Sequence, residues 1–236
     1  MPPQDTPRLV EEALHDLAPY DAQGRLAAHV RDVLPALKRD ARLRDRGVAN
    51  RAKLALIITG DADACGAAAA AYAKGLYGFD LADGREDGAG TVVHTAKWRD
   101  IIADAQGNPL PFSKALDRLY SEKMEAEGGV LVIENIYDLP PNAGNATAVE
   151  QARNGAYQML HDLMTEYAEK TYTPVVVLTG DAAKMEEFLR RTPSVAEYFI
   201  HPPVGTRTPP APPVSVETGD ALTVRRPLRL KKPGLS

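Results

Sequence analysis

Three short, nearly continuous apolar runs constrain this chain more than any other feature. Leu54-Ala55-Leu56-Ile57-Ile58-Thr59, Val130-Leu131-Val132-Ile133 and Val175-Val176-Val177-Leu178 lack the alternation of a half-exposed strand. Each is too short for a buried helix, so each reads as a strand covered on both faces. Thr91-Val92-Val93-His94 is a weaker fourth. Helical stretches separate them: an alanine-rich one that Asp61–Gly66 opens and that runs through Leu76, and others around 114–124, 150–169 and 182–189. Strands alternating with helices predict right-handed crossovers and an α/β fold, a mostly parallel sheet covered by helices.

Two amphipathic helices are expected ahead of the first strand. Leu9, Val10, Ala13, Leu14 and Leu17 mark one, and Leu26, Val30, Val33, Leu34 and Leu37 mark the other, with Pro35 expected to kink it. After Phe199 the pairs Pro202-Pro203, Pro209-Pro210 and Pro212-Pro213 exclude helix and central strand and imply an extended, solvated segment. A small hairpin across Val214–Val224 is compatible with that segment. A basic end follows, with Arg225, Arg226, Leu228, Arg229, Leu230, Lys231 and Lys232 as a candidate partner-docking peptide. The expected division is 1–50 as leading helices, 51–200 as the α/β core and 201–236 as linker and tail. No internal repeat stands out.

Composition narrows the function classes. A net charge of −4 over 236 residues argues against a nucleic-acid binder working through bulk charge. A single cysteine excludes a disulfide framework and a multi-cysteine zinc site. His15, His29, His94, His161 and His201 have no metal-ligand spacing, so no metal is expected. No apolar stretch approaches the ~20 residues of a membrane span, and the first residues lack the pattern of a secretory signal. The expectation is a cytoplasmic protein.

The chemistry of such folds sits where a strand ends in glycine and turns into a helix, because free N–H groups and the helix dipole favour an anion there. A phosphate loop of the form G-x-x-x-x-G-K-[ST] adds a lysine for the terminal phosphates and a hydroxyl for magnesium. This chain has Gly60-Asp61-Ala62-Asp63-Ala64-Cys65-Gly66-Ala67. In that frame Cys65 stands at the second glycine, Gly66 at the lysine and Ala67 at the hydroxyl. Asp61 and Asp63 would face the triphosphate. At an effective dielectric of about 20, two like charges ~4 Å apart repel by roughly 4 kcal/mol.

Further blocks extend the comparison. Gly128-Gly129-Val130-Leu131-Val132-Ile133-Glu134-Asn135-Ile136-Tyr137-Asp138-Leu139 is followed by Val176-Val177-Leu178-Thr179-Gly180-Asp181, Met185, Phe188 and Leu189, then Thr192–Phe199. Together with the Ala-rich helix ending Tyr72-Ala73-Lys74-Gly75-Leu76, these blocks resemble the AAA+ ATPases, in the group of red-type rubisco activase and stage V sporulation protein K. The resemblance covers about residues 9–200. It implies a three-layer P-loop-type core whose catalytic positions are replaced. The magnesium-supporting aspartate becomes Glu134, and the water-polarising glutamate becomes Asn135, an amide that is no base. The arginine that reaches a neighbour's nucleotide becomes Tyr198. The aromatic pore loop is missing from the region Asp104–Pro109, and the helical lid is missing beyond the core.

Phosphoryl transfer relies on positioning and charge stabilisation, and removing one such group costs ~2.7–4 kcal/mol. The expectation is therefore a pseudo-ATPase with no catalytic residue and no cofactor. It would act as a structural, assembly or adaptor component that associates with itself, with an AAA+ paralogue or with a larger complex. The alternative is a nucleotide-binding ATPase or remodelling chaperone with a non-standard loop, its cation supplied by Lys74 or Lys53. Cys65 is expected to pack as a small apolar group rather than react, and Asp61 and Asp63 to serve as helix caps.

Overall fold

The computed structural model describes residues 6–37, 54–79, 81–82, 91–169, 174–199 and 203–207. Lys53, His201 and the tail residues Arg225–Lys232 lie outside these residues, as does the hairpin expected across 214–224.

The apolar runs form strands β1 (Leu56–Thr59), β3 (Val130–Glu134) and β4 (Val175–Gly180). Nearly every residue in them is buried, as strands covered on both faces require. Burying a side chain such as Ile57 or Leu178 contributes roughly 1.5–3 kcal/mol. The weaker run becomes β2 (Val93–Lys97), two residues later than its apolar centre, with only Ala96 buried. A fifth strand, β5 (Val204–Gly205), follows Pro203. The division expected at residue 200 therefore falls inside the sheet. A proline residue is tolerated there because β5 is short and at the sheet edge.

The sheet order is β2-β3-β4-β1-β5, and every neighbouring pair is parallel. The fold is α/β, a five-stranded parallel sheet flanked by helices, a layout compatible with P-loop proteins. The connection leaving β1 runs toward β2, opposite in sense to those leaving β2, β3 and β4. Right-handed crossovers then place α3 (Ala62–Gly78) on one face and α5 (Phe112–Glu125), α6 (Ala146–Glu169) and α7 (Ala182–Arg191) on the other. The sense reverses between β1 and β4, so the crevice beyond their carboxyl ends is where such a fold places a ligand.

Helix α1 (Thr6–Leu17) packs against α3, whose alanines and glycines permit close approach. A Cβ at Gly78 would lie 3.2 Å from Leu9 Cβ, and one at Gly75 3.3 Å from Val30. Helix α2 (Arg25–Ala28) begins where Asp21 accepts hydrogen bonds from Arg25 N and Ala27 N at 3.0 and 2.8 Å. It runs into a π-turn, His29–Val33. Pro35 lacks the N–H that an α-helix needs and crowds the carbonyl one turn earlier, and the widened turn accommodates this. His29 is buried against the Tyr72 ring, with its Nε2 3.3 Å from the Tyr72 hydroxyl. That hydroxyl donates to Leu54 O, which ties α2, α3 and the approach to β1 together. Two short helices, α4 (Trp98–Ile102) and α8 (Pro193–Ala196), were not evident from periodicity because each spans little more than a turn.

Candidate functional site: the carboxyl ends of β1 and β4

Strand β1 ends in Thr59-Gly60-Asp61-Ala62, and its neighbour β4 ends in Thr179-Gly180-Asp181-Ala182. Four identical residues thus close the two strands that flank the crevice. The local geometry is also shared: Gly60 and Gly180 have φ of 144° and 157°. Asp61 and Asp181 sit at φ/ψ of −63°/141° and −65°/135° and cap the helices that follow. Asp61 Oδ1 accepts from Asp63 N at 3.1 Å and Ala64 N at 3.3 Å. Asp181 Oδ1 accepts from Lys184 N at 3.0 Å. Four residues are too few for the pair to stand out in the sequence as an internal repeat.

A phosphate loop of the usual form would delay the helix to near the lysine position, here Gly66. In this chain the helix begins at Ala62, with Asp61 as its cap, so Cys65, Gly66 and Ala67 are helical and the connection shrinks to Gly60-Asp61. The physical cause is composition. No glycine lies between Asp61 and Cys65 to let the backbone wrap an anion, while the Asp61 cap, Ala62, Ala64 and the run Ala67–Ala71 favour immediate helix. The amides a phosphate would use already serve a carboxylate.

Both turns are closed from outside as well. Gly60 N donates to Gly180 O at 3.0 Å, continuing the ladder past the strand ends. Thr206, just after β5, covers Gly60: its N and Oγ1 both donate to Thr59 O, at 2.7 and 3.1 Å. A Cβ on Gly60 would fall 2.2 Å from that Oγ1. Cys65 Sγ lies 3.7 Å from the same hydroxyl and 3.8 Å from Ile58 O. Burial raises the thiol's pKa, so Cys65 stays protonated and packs as a small apolar group. On the other turn, Tyr137 takes the place of Thr206. Its hydroxyl donates to Asn135 Oδ1 at 2.8 Å and accepts from Asp181 N at 2.7 Å. A Cβ on Gly180 would lie 2.6 Å from it.

The remaining predicted positions divide. Glu134 ends β3 half-buried, in register with Lys97 on one side and Thr179 on the other. Asn135 has φ of 53°, donates from its N to Thr179 O, and offers its side-chain oxygen to Tyr137. It organises the turn after β3 and presents no base to the crevice. Asp63 lies exposed in the first turn of α3. Tyr198 is turned inward: its hydroxyl is 3.1 Å from Thr165 Oγ1, and its ring packs edge-on to His161. Lys74, the alternative phosphate cation, is 2.5 Å from Asp16 and 3.8 Å from Glu12 on α1. Its charge is committed to the face between two helices.

The region expected to lack a pore motif is a rigid turn. Asp104 Oδ1 accepts from Gln106 N and Asn108 N, and Oδ2 accepts from Asn108 Nδ2. These bonds, Asn108's foremost, hold the Asp104 carboxyl below its ordinary pKa. Asn142 then fastens the turn to the loop after β3 through Gln106 O and Gly107 O.

Among the described residues, no group of three or more His, Cys, Asp or Glu side chains is arranged to hold a metal ion. Nor is any helix among them long and apolar enough to cross a membrane. No known protein-family model and no curated protein matches the chain.

Proposed function

We propose that this chain is a catalytically inactive AAA+-like protein, a pseudo-ATPase that serves as a structural, assembly or adaptor component of a protein complex. The observation that carries the proposal is the pair of Thr-Gly-Asp-Ala turns. At the crevice where this fold would take a triphosphate, each of the two helix N-termini holds a carboxylate of its own. An anionic ligand would have to displace those carboxylates and then face them without a compensating lysine. The replacements at Gly66, Ala67, Glu134, Asn135 and Tyr198 support the same reading. A body that keeps its apolar strands and loses its catalytic groups is suited to contacts with other proteins: a second copy, an AAA+ paralogue or a larger assembly. In this reading the basic segment Arg225, Arg226, Leu228, Arg229, Leu230, Lys231 and Lys232 is a candidate docking peptide.

Light scattering on the purified full chain, with and without magnesium ATP, tests the proposal. An assembly whose mass does not respond to nucleotide is expected. A mass that changes with magnesium ATP at micromolar concentration would contradict it.

A further inference from the structure

A second concave surface lies beside Tyr137, between the loop after β3 and the outer faces of α6 and α7. It is a recess of about 270 Å³. Helical spacing builds it: α6 contributes Arg153 and Tyr157, four residues apart, and α7 contributes Lys184, Phe188 and Arg191 at spacings of four and three. Phe188 is buried and meets the Tyr157 ring edge-on at 5.4 Å, which makes an apolar floor. The three cations surround that floor.

The cations are only partly spent. Arg153 holds Glu150 at 2.7 Å through Nη1, and Arg191 holds Glu187 through Nη2. Each pair is formed within one helix and engages one nitrogen, and both arginines line the recess. Lys184 has no carboxylate partner among the described residues, and its ammonium lies 5.2 Å from the centre of the Tyr137 ring. The two guanidiniums come from different helices yet act on the same phenol. Burial raises the Tyr157 pKa, Arg153 and Arg191 both pull against that rise, and their partners Glu150 and Glu187 add to it. Asp138 and Glu187 line the recess and Glu150 holds Arg153 beside it, so the three cations stand against three carboxylates, and the recess is distinguished by the convergence of its cations rather than by net charge.

We propose that this recess binds a small organic phosphate ester. The phosphoryl group sits between Arg153 and Arg191, with Lys184 and the Tyr157 hydroxyl as further donors, and the organic part lies on the Tyr157–Phe188 floor. Planar guanidinium forks match tetrahedral oxyanions in pairs, and a low-dielectric floor strengthens the attraction. The volume exceeds what a bare phosphate fills, which is why an ester is the expected ligand. The site is separate from the self-capped turns, whose amides are occupied.

Calorimetric titration of phenyl phosphate, inorganic phosphate and benzoate into the full chain at low salt tests this. Saturable one-to-one binding of phenyl phosphate is expected, tighter than that of either other probe. Arg153→Gln and Arg191→Gln should each weaken it at least tenfold, and Lys184→Gln should weaken it several-fold. Lys114→Gln removes an exposed cation on α5 and should leave it unchanged. Lys114, Lys184 and Arg191 are exposed and Arg153 is partly buried, and far-UV circular dichroism checks that each variant is folded. Three results would overturn the proposal: no saturable heat, benzoate binding as tightly as phenyl phosphate, or Lys114→Gln weakening binding as much as the arginine variants.

Discussion

The two Thr-Gly-Asp-Ala turns share sequence, backbone and cap, yet they sit in different surroundings. The first opens α3, a helix buried on both sides between the sheet and α1, with Thr206 closed over its glycine. The second opens α7, a surface helix whose outer face carries charge, with Tyr137 closed over its glycine. The local sequence dictates the turn, and tertiary packing dictates how much rests on it. The β1 turn is built into the core, whereas the β4 turn borders the cationic recess.

Substituting the glycines tests that difference with the largest expected effect. Gly60→Ala places a Cβ against Thr206 at a backbone φ of 144° and should cost roughly 3–4 kcal/mol in urea denaturation. Gly180→Ala has only side-chain atoms as its nearest neighbours, the Tyr137 hydroxyl at 2.6 Å first, whereas at Gly60 the Thr206 backbone O also lies at 3.2 Å, so Gly180→Ala should cost less. Equal losses would remove the contrast between the turns.

A pH effect belongs to the α3 side. Burial lowers the His29 pKa to about 4, from an ordinary value of 6.5. The folded state therefore binds fewer protons than the unfolded state. Stability is full above pH 6.5 and falls as pH drops from 6.5 to about 4. The loss should approach about 3 kcal/mol from this group alone. Comparing the urea midpoint at pH 7 and pH 4.5 checks this, and His29→Gln should flatten the response over that window. An unchanged response in His29→Gln would assign the effect elsewhere.

The caps follow in size. Asp61→Ala leaves two amide donors of α3 without their carboxylate and should cost about 1 kcal/mol; Asp181→Ala, which frees one, should cost less. The smallest expected effect is chemical. Cys65 should react with a disulfide reagent only as the chain unfolds, so rapid labelling of the native protein would show that the β1 turn opens.

Much of the architecture was legible in the residues. Leu54–Thr59, Val130–Ile133 and Val175–Leu178 specify buried parallel strands because no other element hides so short and continuous an apolar run. The helix periods place α1, α2 and α5–α7 for the same kind of reason. What escaped was set by tertiary context. Strand β5 has two residues and follows a proline, so only its pairing with β1 and the Thr206 contact to Thr59 define it. The early start of α3 follows from Asp61, which caps it as its residue type suggests, and from the alanines, whereas Asp63 stands in the first turn and is not a cap. The recess with Arg153, Lys184 and Arg191 joins two helices some thirty residues apart, and no local pattern announces it. Tyr137 was visible only as part of a family-like block, while its role as the partner of Asp181 depends on β3 and β4 lying side by side.

The central claim is that a crevice already filled by its own carboxylates does not take a triphosphate. The most direct test is calorimetric titration of ATP, with and without magnesium, into the chain carrying Arg153→Gln and Arg191→Gln, which weakens any binding in the recess. The account predicts no saturable binding below millimolar nucleotide in either condition. Magnesium-dependent binding at micromolar concentration would contradict it.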